Sequence, residues 1–252
     1  VSRDEPRNVV TGTTAGPVLQ AAEVHGDVHL HAAPPPGRVP RQLPGTVRHF
    51  VGRERHLAAL TAHLDEAAAS PDPVAISTIE GMAGIGKSAL AIHWAWLHAG
   101  HFPDGQLYAN LRGFSPAAAM QPGEALWGFL HAMGAPRDTP SLDLGAQAAL
   151  YRSMLAGRRM LIVLDNARDT EQVRHLLPGG GTCHVIVTSR QRLTGLVAQA
   201  GARPIRMDGL GTGESTVLLG ALVGAGRVAA ESGAAHDLVE LCARMPLALT
   251  IL

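Results

Sequence analysis

The stretch "STIEGMAGIGKSALA", residues 77–91, spaces glycines, a lysine and a serine for anion chemistry. Gly81, Gly86, Lys87 and Ser88 satisfy G-x-x-x-x-G-K-[ST]. Such glycines let backbone N–H groups turn inward around phosphate oxygens, and the following helix aims its positive end at the same anion. Lysine adds a compact point charge on a flexible stem that reaches β- and γ-phosphates, where the broad planar fork of arginine substitutes poorly. The serine hydroxyl is placed to ligate Mg²⁺. Composition underlines the choice: of 21 basic residues, 20 are arginine and Lys87 is the single lysine.

A phosphate loop needs a partner on the metal side. In "RRMLIVLDNAR" (158–168) five apolar residues lead to Asp165 at the C-terminal end of a predicted strand, where α/β sheets bind ligands. Its carboxylate would hold Mg²⁺ through water; the plainer reading is a strand-end aspartate that caps the next helix. The next residue, Asn166, cannot take a proton from an attacking water, which predicts slow turnover. The run "CHVIVTSR" (183–190) ends in Arg190, which either senses a γ-phosphate by charge-assisted hydrogen bonds or is an exposed strand-end arginine without a role.

These residues must be held by an α/β domain. Apolar runs predict strands at 74–80, 105–111, 160–165, 183–188 and 204–207, with helices near 53–69, 87–99, 123–133, 144–157 and 169–177. From 212 the pattern turns helical: "GESTVLLGALVG" and "AAHDLVELCARMPLAL" each show i, i+3, i+4 apolar spacing. Residues 34–46, "PPPGRVPRQLPGT", hold five prolines and read as a stiff linker rather than a packed element. The domains expected are thus 1–33, the linker 34–46, a nucleotide-binding domain 47–211 and a helical piece 212–252, whose apolar end "PLALTIL" reads as cut from something longer.

Formal net charge is zero and 46% of residues are hydrophobic, a profile without the basic footprint of a nucleic-acid binder. "VSRDEPRNVV" lacks a signal-peptide pattern, and "VLLGALVGAG" (217–226) is too short for a membrane span and reads as a buried helix. Cys183 and Cys242 lie in apolar runs and read as buried, reduced residues of a cytoplasmic protein.

"FVGRERHLAAL" (50–60), "GMAGIGKSALA", "LIVLDNARDTEQVRHLLPG", "VIVTSRQRL" and "CARMPLAL" occur in the order of the NB-ARC group of STAND-class signal-transduction ATPases, and residues 45–252 resemble it. The resemblance is strongest to bacterial regulators that carry C-terminal helical repeats. It implies a P-loop NTPase fold, a five-stranded parallel sheet flanked by helices, with the loop strand beside the strand of Arg190 and a small helical subdomain after it. It implies ATP or ADP with Mg²⁺ as ligands. Residues 51–54 would wrap the adenine edge with their backbone, through Val51 and Arg53. Gly81, Gly84, Ile85, Gly86, Lys87, Ser88 and Ala89 would hold phosphates, Ser88 and Asp165 the metal, Arg190 the γ-phosphate, and Pro246 the base. Members switch between a closed ADP form and an open ATP form that self-associates. Two departures stand out: "MPLAL" has methionine where the group often shows glycine–leucine, and the winged-helix segment that completes the lid would lie beyond Leu252.

The segment 8–31, "NVVTGTTAGPVLQAAEVHGDVHLH", lacks helical periodicity and is similar to the amyloid-forming signalling motifs found ahead of such ATPases, a homotypic partner site; a leader without order fits it equally. His25, His29 and His31 make at most a weak metal site. A regulatory nucleotide switch is therefore the expected function, against a P-loop ATPase or kinase that turns over continuously. A DNA-binding regulator would need a basic recognition helix, which this sequence does not show.

Overall fold

Five short strands run parallel: β1 Ala75–Gly81, β2 Gln106–Asn110, β3 Leu161–Ala167, β4 His184–Ser189 and β5 Arg203–Met207, in the spatial order β2-β3-β4-β1-β5. The computed structural model describes residues 39–69, 74–135, 139 and 142–251. The readings made for residues 1–33 and for the first residues of the linker fall outside these. β1 lies between β4 and β5, so the loop strand neighbours the strand that leads to Arg190, as expected.

β3 and β4 carry continuous apolar runs because helices cover both faces of the sheet, while β1 buries Ser77, Thr78 and Glu80 among its apolar residues. Side chains alternate between the two sides with the period of two that a strand imposes. Ile162, Leu164, Val185 and Val187 enter one core with Leu126, Phe129 and Tyr151 from α3 (Pro122–Ala132) and α4 (Leu144–Leu155). Leu161, Val163 and Ile186 enter the other with Leu60 and Trp94 from α1 (Glu54–Ala69) and α2 (Lys87–Leu97). Each such large apolar side chain contributes roughly 1.5–3 kcal/mol. Two short helices, α5 (Thr170–Arg174) and α6 (Thr194–Ala200), complete the first layer.

Five expectations need correction. The helix expected over 169–177 stops at Arg174, because the chain tightens into an i→i+3 bond from Leu176 N to Val173 O ahead of Pro178. The linker is packed over residues 40–44. Pro40 is buried, Gln106 N–H donates to Pro40 O and Gln42 N–H to Gln106 O, Leu43 joins the core, and Trp96 Nε1–H donates to Pro44 O. β2 is an edge strand whose polar backbone needs cover, and a proline-rich segment supplies it without offering a further edge.

The helical tail is four helices rather than two: α7 Thr212–Val223, α8 Ala225–Ala230, α9 Ser232–Leu241 and α10 Pro246–Ile251. "AAHDLVELCARMPLAL" breaks because Pro246 cannot donate to the preceding turn, and Ala243 and Arg244 turn the chain at φ 49° and 57°. "VLLGALVGAG" is helical at its start but not wholly buried, with Val217 and Val223 exposed, and of the two cysteines, both free, Cys242 is only half-buried. Leu210, Leu218, Leu219, Val228, Val239 and Leu249 give this piece its own small core.

Candidate nucleotide site

The C-terminal ends of β1, β3 and β4 open into one cavity of about 570 Å³. Lys87, Ser88, Asp165 and Arg190 all line it, with Gly84, Ile85, Gly86 and Ala89 from the loop. Val51 and Arg53 line it from the segment ahead of α1, and Pro246 from the start of α10. Gly81 does not: it ends β1, and its carbonyl accepts Lys87 Nζ at 2.9 Å, beside a 2.7 Å bond to Met82 O. Gly86 stands at φ 98° as the residue before α2, a conformation that costs any side chain and turns the loop into the helix.

Charge in the site is arranged for an anion. Lys87 is buried, and desolvation lowers its pKa, with the Arg190 guanidinium adding to the effect and Asp165 opposing it. Two cations against one carboxylate favour a negative ligand. Arg190 is exposed, with its guanidinium 5.1 Å over the Phe114 ring.

Asp165 is the most heavily hydrogen-bonded group of the site. Its Oδ1 accepts from Ser88 Oγ and from Thr188 Oγ1, each at 2.6 Å, and its Oδ2 accepts from the Tyr108 hydroxyl at 3.2 Å. Thr188 in turn accepts the Asn166 N–H at 2.8 Å, which holds the backbone after Asp165 with Asn166 at φ 57°. Burial raises the Tyr108 pKa, and the charge of Asp165 adds to it, so the phenol stays a donor. A hydroxyl and a carboxylate in contact are hard oxygen donors, a set that fits Mg²⁺. Among the described residues no cluster of three His, Cys, Asp or Glu could hold a metal without other ligands.

Arg53 lines the cavity and is itself held at both its backbone and its side chain. Its backbone N–H, read as part of the adenine edge, donates to Glu214 Oε1 at 3.1 Å. Its buried guanidinium donates to Asp208 O at 2.7 Å and to Ile85 O at 3.0 Å, bracing the phosphate loop against the chain between β5 and α7. Val51 packs on the helical core. Leu247 N–H donates to Gly84 O at 3.2 Å, which puts α10 on the loop itself.

Sequence reasoning passes over Tyr108, Thr188, Asn110 and Glu214. Asn110 pairs in register with Asp165 and lines the cavity. No spacing reveals this, because it depends on β2 lying beside β3. Glu214 carries a readable signal, an acid three residues after the helix-capping Gly211, although that signal reports capping only.

A parallel sheet with a glycine-rich loop between its first strand and a helix, and with a strand-end aspartate touching the serine of the loop, is the P-loop NTPase fold. Over 212 residues the chain is 44% identical to the regulatory protein AfsR of Streptomyces griseus, a match covering 84% of this chain and 21% of that protein. It is 43% identical over 215 residues to AfsR of Streptomyces coelicolor, with the same coverage. The chain thus spans about a fifth of the length of these relatives, at 21% of each. Among solved structures it is similar to a Signal Transduction ATPase with Numerous Domains from Pyrococcus horikoshii that carries a tetratricopeptide repeat sensor. That likeness has a TM-score of 0.53 at 20% identity and covers 85% of this chain and 31% of that one. It is also similar to a Walker-type ATPase of Pyrococcus abyssi, with a TM-score of 0.55 at 12% identity, covering 84% and 68%. These two likenesses show the fold. No protein-family model matches the chain.

Proposed function

We propose that this chain is the ATP- and ADP-binding switch of a regulatory protein of the NB-ARC, STAND-class type. The observation that carries the reading is the convergence of Lys87, Ser88, Asp165 and Arg190 on one cavity that Leu218, Leu222, Pro246 and Leu247 of the helical piece also line. Its volume of about 570 Å³ lies within the range of small-molecule sites. Loop amides from Gly84 to Ala89 and the Lys87 ammonium bind the phosphates. Arg190 reads the γ-phosphate, and the base lies between Val51 and Pro246. Ser88 and Asp165 hold Mg²⁺, which neutralises phosphate charge when bound.

Hydrolysis is slow in this reading, because the positions beside Asp165 are amides, Asn166 next in sequence and Asn110 on the neighbouring strand, and neither takes a proton from water. The regulatory role draws support from the likeness to AfsR and from the order of the motifs. ATP-bound chains self-associate, residues 1–33 add a homotypic contact, and the protein works in the cytoplasm. Among the described residues no helix is long and apolar enough to cross a membrane.

Denaturing the purified chain and separating what it releases tests the reading. The expected result is close to one ADP per chain. A chain that releases nothing and takes up no added ADP or ATP overturns it.

A further inference from the structure

Glu214 holds the nucleotide-facing segment and the helical subdomain together with one carboxylate. It stands in the first turn of α7. Oε2 accepts the Gly211 N–H at 2.6 Å, which caps the helix, while Oε1 accepts the Arg53 N–H at 3.1 Å across 161 residues of sequence. The two oxygens thus serve different masters: one builds α7 and the other ties α7 to the segment before α1.

Neighbouring residues are shaped for this contact. Gly52 stands at φ 67°, and a Cβ there would run into the Glu214 carboxylate, so the approach requires glycine. Arg53, at φ 72°, turns its N–H to the carboxylate while its guanidinium is fixed to Asp208 O and Ile85 O. Burial alone would raise the Glu214 pKa, but the N–H groups of Gly211 and Arg53, with the Arg53 charge, hold it below the ordinary carboxylate value. The acceptor is therefore ionised at neutral pH, where such bonds are strongest. Val51, two residues before Arg53, packs on the helical core, and both line the cavity.

We propose that Glu214 is a positioning residue that clips residues 51–53 to the helical subdomain, so that the two release a bound adenine nucleotide only by moving together. The proposal rests on the nucleotide reading above. Without the clip, the segment beside the base can open while the rest of the site stays assembled. The clip thus sets the residence time of the nucleotide rather than the chemistry at its phosphates.

The test is the release of radiolabelled ADP chased with excess unlabelled ADP. Glu214→Ala should release it about tenfold faster, the order of one charge-assisted hydrogen bond. Because that variant also loses a helix cap, a second carries Gly211→Asp with Glu214→Ala. Gly211 has the extended φ −62°, ψ 156° that a capping aspartate adopts, and the new side chain restores the cap but not the tie to Arg53. The expected result is recovered thermal stability with release still fast. Release at the wild-type rate in either variant overturns the clip and leaves nucleotide binding standing. A wild-type chain that holds no ADP overturns both.

Discussion

Asp165 illustrates how much of the site is decided by single hydroxyl groups. Its position at the end of "MLIVLD" is legible in the sequence, because an acid after an apolar run must lie at a strand tip. Its orientation is not legible, since that comes from Ser88, Thr188 and Tyr108 on three different elements. Tyr108→Phe keeps the ring and removes the donor to Oδ2. The variant should weaken Mg²⁺-dependent ATP affinity by about tenfold, as removal of a partner behind a metal ligand does, and leave affinity measured in EDTA unchanged. Equal loss in both conditions would show that the hydroxyl acts without the metal, and no loss in either would show that Asp165 does not need it. Arg53 teaches the converse: its type and place are readable, yet its guanidinium reaches Asp208 and Ile85, partners set by tertiary packing.

At the scale of elements, strands and most helices are readable because each buries a run or a stripe of apolar residues. Errors fall where one residue overrules the pattern, as Pro246 does between α9 and α10 and as the open edge of β2 does for the linker. The least readable element contact lies under α2. His184 on β4 is fully buried, 3.4 Å from Ser77 Oγ of β1, with its ring 5.3 Å from Trp94 and 6.4 Å from Phe102. Ser77 in turn meets His63 Nδ1 of α1 at 3.0 Å. Burial, helped by the nearby His63 and His98, pushes the His184 pKa down to about 3. The unfolded chain therefore binds a proton that the folded chain refuses between about pH 6.5 and 3. Stability is full above 6.5 and falls as pH drops, by about 1.4 kcal/mol per unit in that window from this group. His63, also lowered by burial first and then by Arg203, adds in the same direction. Urea unfolding at pH 7 and pH 5 should show wild type losing roughly 2 kcal/mol more than His184→Gln. Matching losses would show that His184 does not refuse the proton.

The molecule as a whole puts its polar chemistry at one end of the sheet and closes it with a helical piece that has its own core. Three links join that piece to the site: Glu214 to Arg53, Leu247 to Gly84, and the Arg53 guanidinium to Asp208 just ahead of α7. A ligand that touches both parts biases their relative position by its differential affinity, which is the physical requirement for a switch. Everything in the account depends on a nucleotide binding at the loop, and Lys87 is the residue that no other in this chain replaces. The most direct measurement is a calorimetric titration of wild type and Lys87→Ala with ATP and with ADP, with circular dichroism to establish that both are folded. The expected result is one nucleotide bound per wild-type chain and affinity weakened at least about 100-fold in the variant, the order expected when the main phosphate charge partner is removed from a buried site. Wild-type affinity in folded Lys87→Ala would contradict it.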